Sequence, residues 1–151
     1  MDTTGFFAYP SEPEPPGEYG LPAFLGSRGV EDWAMVLDHS ETRVFRPGDV
    51  VLREGERDQA LYVLVDGWLR APSGTIHPIT TFGEAAFFDA TPRAVTVVAM
   101  SDGEMLRLGF EGFEALAARD PALGRAILLD LGRIACARLR ATGDATHGWT
   151  G

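Results

Sequence analysis

The stretch Phe82-Gly83-Glu84-Ala85-Ala86-Phe87-Phe88-Asp89-Ala90-Thr91-Pro92-Arg93-Ala94-Val95-Thr96-Val97 holds a carboxylate at Glu84 and, nine residues on, a guanidinium at Arg93. Gly83 lets a ligand approach the backbone, and the apolar residues after it are enough for a short helix. A helix opening at Gly83 leaves its first amides without intrahelical partners and presents the positive end of its dipole, which suits a phosphate. Arg93 adds a planar fork of donors that can meet two phosphate oxygens together. Glu84 is itself an anion, so it must serve a donor instead, and a sugar hydroxyl is the natural one. The plainer reading of the same spacing is a structural salt bridge between the two residues.

No other set of residues competes for a reaction. His39, His77 and His147 are scattered over a helix end, a hairpin and the tail, whereas a metal-binding β-barrel needs two or three histidines and a carboxylate converging on one point. Cys136 has no partner for an internal disulfide and lies in a helical stretch among apolar neighbours, which reads as a small buried hydrophobe. No Ser/His/Asp or Cys/His set stands out. Neither an enzyme, a metal nor a cofactor is expected.

The elements that must position Glu84 and Arg93 follow from periodicity. Val30, Trp33, Ala34 and Leu37 recur at helical spacing and predict one apolar face on a helix over 30–38. From Thr42 the period changes to short β-branched runs cut by Arg46-Pro47-Gly48-Asp49, Glu54-Gly55-Glu56 and Asp66-Gly67. Strands are predicted near 42–46, 49–53, 60–66, 67–71, 76–80, 94–100 and 103–109, and so many short strands with tight turns argue for a barrel or sandwich rather than a βαβ sheet. Beyond Gly109 the helical period returns over 110–118, with Phe110, Phe113, Leu116 and Ala117 on one side. Asp120-Pro121 then reads as an N-cap followed by a first-turn proline, opening a long helix to about Thr142. Gly124 and Gly132 each cost that helix roughly 1 kcal/mol against alanine, so another backbone is expected close to both. Trp33 and Trp68 read as core aromatics, and Trp149 as a tail residue.

Charge and composition exclude several classes. All 13 basic residues are arginines and the net charge is −9, so clustered positive charge for nucleic acid is missing. No apolar run reaches the roughly 18 residues of a membrane span. Met1-Asp2-Thr3-Thr4 lacks the basic start of a secretory signal, which predicts an intracellular, cytoplasmic protein with neither nucleic-acid nor membrane partners. Pro10, Pro13, Pro15, Pro16 and Pro22 among glutamates and glycines predict an extended tail over 1–25. Residues 26–142 form the expected domain, and 143–151 a frayed end.

The run Phe-Gly-Glu-x-Ala, six residues, then Pro-Arg-Ala-x-Thr-Val resembles the phosphate-binding cassette of cyclic-nucleotide-binding domains. That family includes the regulatory subunits of cyclic-AMP-dependent protein kinase, the catabolite activator protein and cyclic-nucleotide-gated channels. Phe45-Arg46-Pro47-Gly48-Asp49-Val50-Val51, Arg53-Glu54-Gly55-Glu56 and Leu61-Tyr62-Val63-Leu64-Val65-Asp66-Gly67 are similar to its first three strands, and the likeness covers about 30–142. It implies a mainly β fold with flanking helices, a β-roll closed by a long C-terminal helix. It also implies that Glu84 bonds the ribose 2′-hydroxyl, that Arg93 bonds the cyclic phosphate, and that backbone near Gly83, Ala85, Ala86 and Ala94 completes the cradle. Thr142 stands where the bacterial activators place an adenine-contacting threonine. Ala94 stands where cyclic-GMP-selective members often carry threonine, so cyclic AMP is favoured over cyclic GMP.

The chain departs from the family pattern in a short connection over 71–81, with Thr80-Thr81 in place of the usual Gly-Asp, so the fourth and fifth strands must be trimmed. The expected function is a stand-alone cyclic-nucleotide sensor that signals to an effector protein through its C-terminal helices. The alternative is a ligand-free β-roll scaffold for protein contacts. Leu128, Leu131, Ala135 and Leu139 form a stripe on the 121–142 helix, which serves either a homodimer or packing on its own roll.

Overall fold

The computed structural model describes residues 24–26 and 28–145, with side chains to Ala141. Helix α1 (Val30–Asp38) precedes eight strands: β1 (Glu41–Phe45), β2 (Val50–Leu52), β3 (Ala60–Asp66), β4 (Leu69–Ala71), β5 (Gly74–Ile76), β6 (Thr80–Phe82), β7 (Val97–Ala99) and β8 (Gly103–Gly109). Helix α2 (Glu84–Asp89) interrupts them after β6, and α3 (Phe110–Arg119) and α4 (Pro121–Ala145) close the chain. The strands form two antiparallel sheets ordered β1-β8-β3-β6 and β2-β7-β4-β5. This is the expected β-roll with flanking helices.

Strand β3 is buried on both faces, so it reads as a continuous apolar run rather than an alternation. Leu61, Val63 and Val65 point into a core shared with the helices, while Ala60, Tyr62 and Leu64 point into the core between the sheets. The first core takes Trp33 and Val36 from α1, Phe113 and Leu116 from α3, and Leu123, Ile127, Leu131 and Ile134 from α4. Asp120 caps α4 as its sequence promised, its Oδ1 accepting from the Leu123 amide at 3.1 Å. At Gly124 a Cβ would stand 2.7 Å from the Cβ of Ala117, so glycine is what allows α3 and α4 to touch there.

Several expectations are corrected. The single strand predicted at 76–80 is two, β5 and β6, because Gly74 turns the chain back on β4 and the Pro78 region separates the halves. The fourth and fifth strands are three residues each, as the short connection required. On α1 the buried side chains are Trp33 and Val36, while Val30 is 60% exposed and Ala34 is exposed, so the face is rotated from the predicted one. Phe24 and Leu25, assigned to the N-terminal tail, are buried in the core, and the Leu25 amide donates to Asp130 at 2.9 Å. Nothing lies within 4 Å of a Cβ at Gly132, and Cys136 is exposed rather than buried. Trp68 is only half-buried and stacks on His77 at 6.0 Å. Trp149 and His147 lie outside the described residues.

Candidate functional site

Gly83 adopts a left-handed conformation at φ 81° and caps α2, so the chain can leave β6 and enter the helix without strain. A Cβ here would stand 2.5 Å from Nη1 of Arg93, which makes glycine obligatory on two counts. Helix α2 is anchored by Phe87, which is fully buried, with its ring 5.6 Å from Phe110 and 5.5 Å from Phe113. Phe88 is half exposed, so only one of the two bulky cassette aromatics packs into the core.

Arg93 is the buried charge of the roll, 5% exposed. Its Nη1 donates to the Gly83 carbonyl at 2.8 Å, and its Nη2 to the carbonyls of Asp58 at 2.8 Å and Ala60 at 2.9 Å. The guanidinium lies 5.3 Å from the centre of the Tyr62 ring, a cation–π arrangement. Its Nε is buried with no hydrogen-bond partner. A buried donor left unmet costs about 1–3 kcal/mol, so the site is short of one acceptor. Arg93 is reached from an irregular segment, β7 starting only at Val97 rather than at Ala94 as the sequence suggested.

The Asp58 carboxylate sits beside this arginine, Oδ2 being 3.6 Å from Nη2 of Arg93. It is bound more closely by Arg107 at 2.5 Å and by the Tyr62 hydroxyl, which donates to it at 2.5 Å. Burial alone would raise the Asp58 pKa, but hydrogen bonds from Arg107 and Tyr62 and the charges of Arg107 and Arg93 outweigh it and hold it at about 2. Burial, then the hydrogen bond to Asp58, raises the Tyr62 phenol.

Glu84 does not pair with Arg93. Both of its carboxylate oxygens are held by Nη1 of Arg138 from α4, and Nη2 of Arg138 donates to the Thr81 carbonyl at 2.6 Å. Arg138 thus ties the long helix to Thr81 of β6 and to Glu84 of α2. Arg138 is not among the residues that the cassette pattern assigns to the site. A signal was present: Arg138 follows Leu131 and Ile134 at helical spacing, so a charged residue stands on the buried stripe and requires an acid opposite.

A cavity of about 540 Å³ joins these groups, within the usual range for small-ligand sites. Of the expected site residues, Gly83, Glu84, Ala85, Ala86, Arg93 and Ala94 all line it, together with Arg138. Leu52, Ile76 and Val97 give it an apolar wall. Thr142 belongs to α4, but its side chain lies outside the described residues. The arrangement can hold a small molecule with a flat apolar part, a hydroxyl near Glu84 and an anion near Arg93. Among the described residues no group of three or more His, Cys, Asp and Glu side chains converges as a metal site would, and no helix is long and apolar enough to cross a membrane.

Comparison with known proteins points the same way. The profile of the family described as cyclic nucleotide-binding domain matches residues 42–120. The cAMP-dependent protein kinase regulatory subunit of Hypocrea atroviridis is 35% identical over 97 residues, 61% of this chain and 21% of that protein. The cyclic AMP receptor protein of Thermus thermophilus is 27% identical over 124 residues, 76% of this chain and 57% of that protein. The chain therefore spans only a fifth to just over half the length of these relatives. Among solved structures, the Thermus thermophilus catabolite activator protein superposes with a TM-score of 0.68 at 26% identity, covering 79% of this chain and 59% of that one. A cyclic nucleotide-binding domain from Methylobacillus flagellatus superposes at 0.72 with 20% identity over 83% of this chain and 76% of that one, a likeness of fold. The profile match, the roll and a cavity that gathers the cassette residues identify this chain as a member of the cyclic nucleotide-binding domain family.

Proposed function

We propose that this domain senses a cyclic nucleotide, cyclic AMP in preference to cyclic GMP, and passes the bound state to an effector protein through α3 and α4. The observation that carries this reading is the buried Nε of Arg93, a charged donor without an acceptor in a residue that lines the cavity. An oxygen of a cyclic phosphate would be the acceptor for this donor. Glu84 then receives the ribose 2′-hydroxyl on the carboxylate that Arg138 also holds, so the ligand competes for, or shares, the group that ties α4 to the site. Binding that favours one arrangement of α4 over another shifts the population of the two. Thr142 is assigned to the adenine end of the site on the family pattern alone.

Titration calorimetry with cyclic AMP and cyclic GMP tests the reading. Ala94 offers the guanine amino group no acceptor, and an unmet buried donor costs about 1–3 kcal/mol, so cyclic AMP is expected to bind roughly five- to a hundredfold tighter. Ala94→Thr is expected to raise cyclic-GMP affinity selectively. Absence of heat with either nucleotide would instead favour the ligand-free scaffold.

A homodimer through α4 is the accompanying proposal for assembly. The predicted stripe divides: Leu131 is buried in its own chain, whereas Leu128 is 41% and Leu139 72% exposed, with Leu129 exposed beside them and open space at Gly132. A second copy covering these leucines would remove apolar area from water. Light scattering at micromolar concentration is expected to report twice the chain mass of 16.3 kDa, and a mass equal to one chain would retire the dimer.

A further inference from the structure

A cluster of three charged side chains lies beside the cavity. Asp58 is flanked by two guanidiniums, Arg93 at 3.6 Å and Arg107 at 2.5 Å. Arg107 grips both carboxylate oxygens, Nη2 on Oδ1 and Nε on Oδ2 at 3.4 Å, and Tyr62 donates its hydroxyl to Oδ2. The contact with Arg93 is longer than a hydrogen bond, and the Nη2 of Arg93 is spent instead on the carbonyls of Asp58 and Ala60. Among the described residues, Asp58 is the one carboxylate either guanidinium meets within ion-pair range. One negative charge thus serves two positive ones, and the trio Arg93–Asp58–Arg107 keeps a surplus of one positive charge beside the cavity. Neither Asp58 nor Arg107 lines that cavity.

We propose that Asp58 and Arg107 set the anion affinity of the site by charge sharing: Arg107 holds the Asp58 carboxylate back from Arg93, so that Arg93 stays electropositive toward a bound phosphate. The inference rests on the nucleotide-binding reading of the cavity. It gives the two residues opposite effects, because one supplies the competing anion and the other occupies it. Removing Arg107 frees the carboxylate to close on Arg93 and neutralise it. Removing the carboxylate charge takes away the competitor, while Arg93 remains fixed by three main-chain carbonyls and the Tyr62 ring. Partly buried charges a few ångströms apart interact strongly enough for roughly tenfold changes in binding.

The experiment is a double-mutant cycle read by calorimetry with cyclic AMP on the whole chain. Arg107→Gln is expected to weaken binding by roughly tenfold, and Arg107→Lys, which keeps the charge, to restore most of it. Asp58→Asn is expected to bind a few-fold tighter than wild type, and adding Arg107→Gln to it to change nothing further, since no carboxylate is left to release. A purely structural role predicts the reverse pattern, with every variant weaker and Arg107→Gln just as costly in the Asn background. If Arg107→Gln does not fold, Asp58→Asn decides alone: binding no tighter than wild type overturns the inference. Wild type that binds cyclic AMP beside variants of unchanged affinity overturns charge sharing only. Wild type that binds no cyclic nucleotide overturns the reading of the cavity and charge sharing with it.

Discussion

Arg93→Ala is expected to lose cyclic-nucleotide affinity by a hundredfold or more, because hydrogen bonds to charged groups are worth about 1.5–3 kcal/mol each and two are removed. The same change strips donors from the carbonyls of Gly83, Asp58 and Ala60, so the protein also loses stability, by roughly 2–4 kcal/mol. The two losses must be separated. Arg93→Lys keeps a positive charge but cannot reproduce the planar fork, so it is expected to recover part of the stability and little of the affinity. Glu84→Gln is expected to cost less affinity and to narrow the gap between ribose and deoxyribose ligands, since the amide is a weaker acceptor for the 2′-hydroxyl. Calorimetry on variants shown to be folded by circular dichroism reads these outcomes. Arg93→Ala that binds as tightly as wild type would remove the arginine from the site.

Phe87→Ala is expected to be the most destabilising single change in the cassette, by about 3–5 kcal/mol, the usual cost of emptying a fully buried phenylalanine site. For a domain of this size that is a fall in melting temperature of roughly 10 °C. The ring carries α2 against Phe110 and Phe113 of α3, and the Phe87 carbonyl accepts from the Gln59 side chain at 2.9 Å. The main-chain carbonyl of Gln59 in turn accepts from the Phe110 amide at 2.9 Å, so the residue leading into β3, the cassette helix and the start of α3 meet at one place. Loss of the ring should therefore loosen α3 from the cassette as well as lower stability. Phe88→Ala, at a half-exposed ring, is the control and is expected to be nearly neutral. Equal melting temperatures for the two variants would deny Phe87 this role.

The short strands, the helices and the turns between them were legible because each rests on local chemistry, whereas the family and the β-roll were legible through the resemblance of the cassette motif. Strand runs bounded by Gly and Pro, the Asp120 cap, and the residues flanking Gly83 depend on neighbours in sequence, and the fold honours them. Even the trimmed fourth and fifth strands followed from the length of one connection. What failed locally was fine division, as where one predicted strand became β5 and β6.

The partners of the charges were a different matter. Sequence by itself determined that a carboxylate and a guanidinium would stand at the cassette, but only the tertiary structure decided what each touches. Glu84 meets Arg138 from a helix 54 residues away, and Arg93 turns its donors onto carbonyls 10, 33 and 35 residues away. Asp58 gave no periodic or motif signal, yet it sits between two arginines. Tertiary packing likewise chose which side of α1 is buried, drew Phe24 and Leu25 into the core, and left Cys136 and Leu139 facing outward. The physical reason is one of range. Backbone period and turn chemistry act over a few residues, whereas burial and ion pairing depend on which distant surfaces the closed roll brings together.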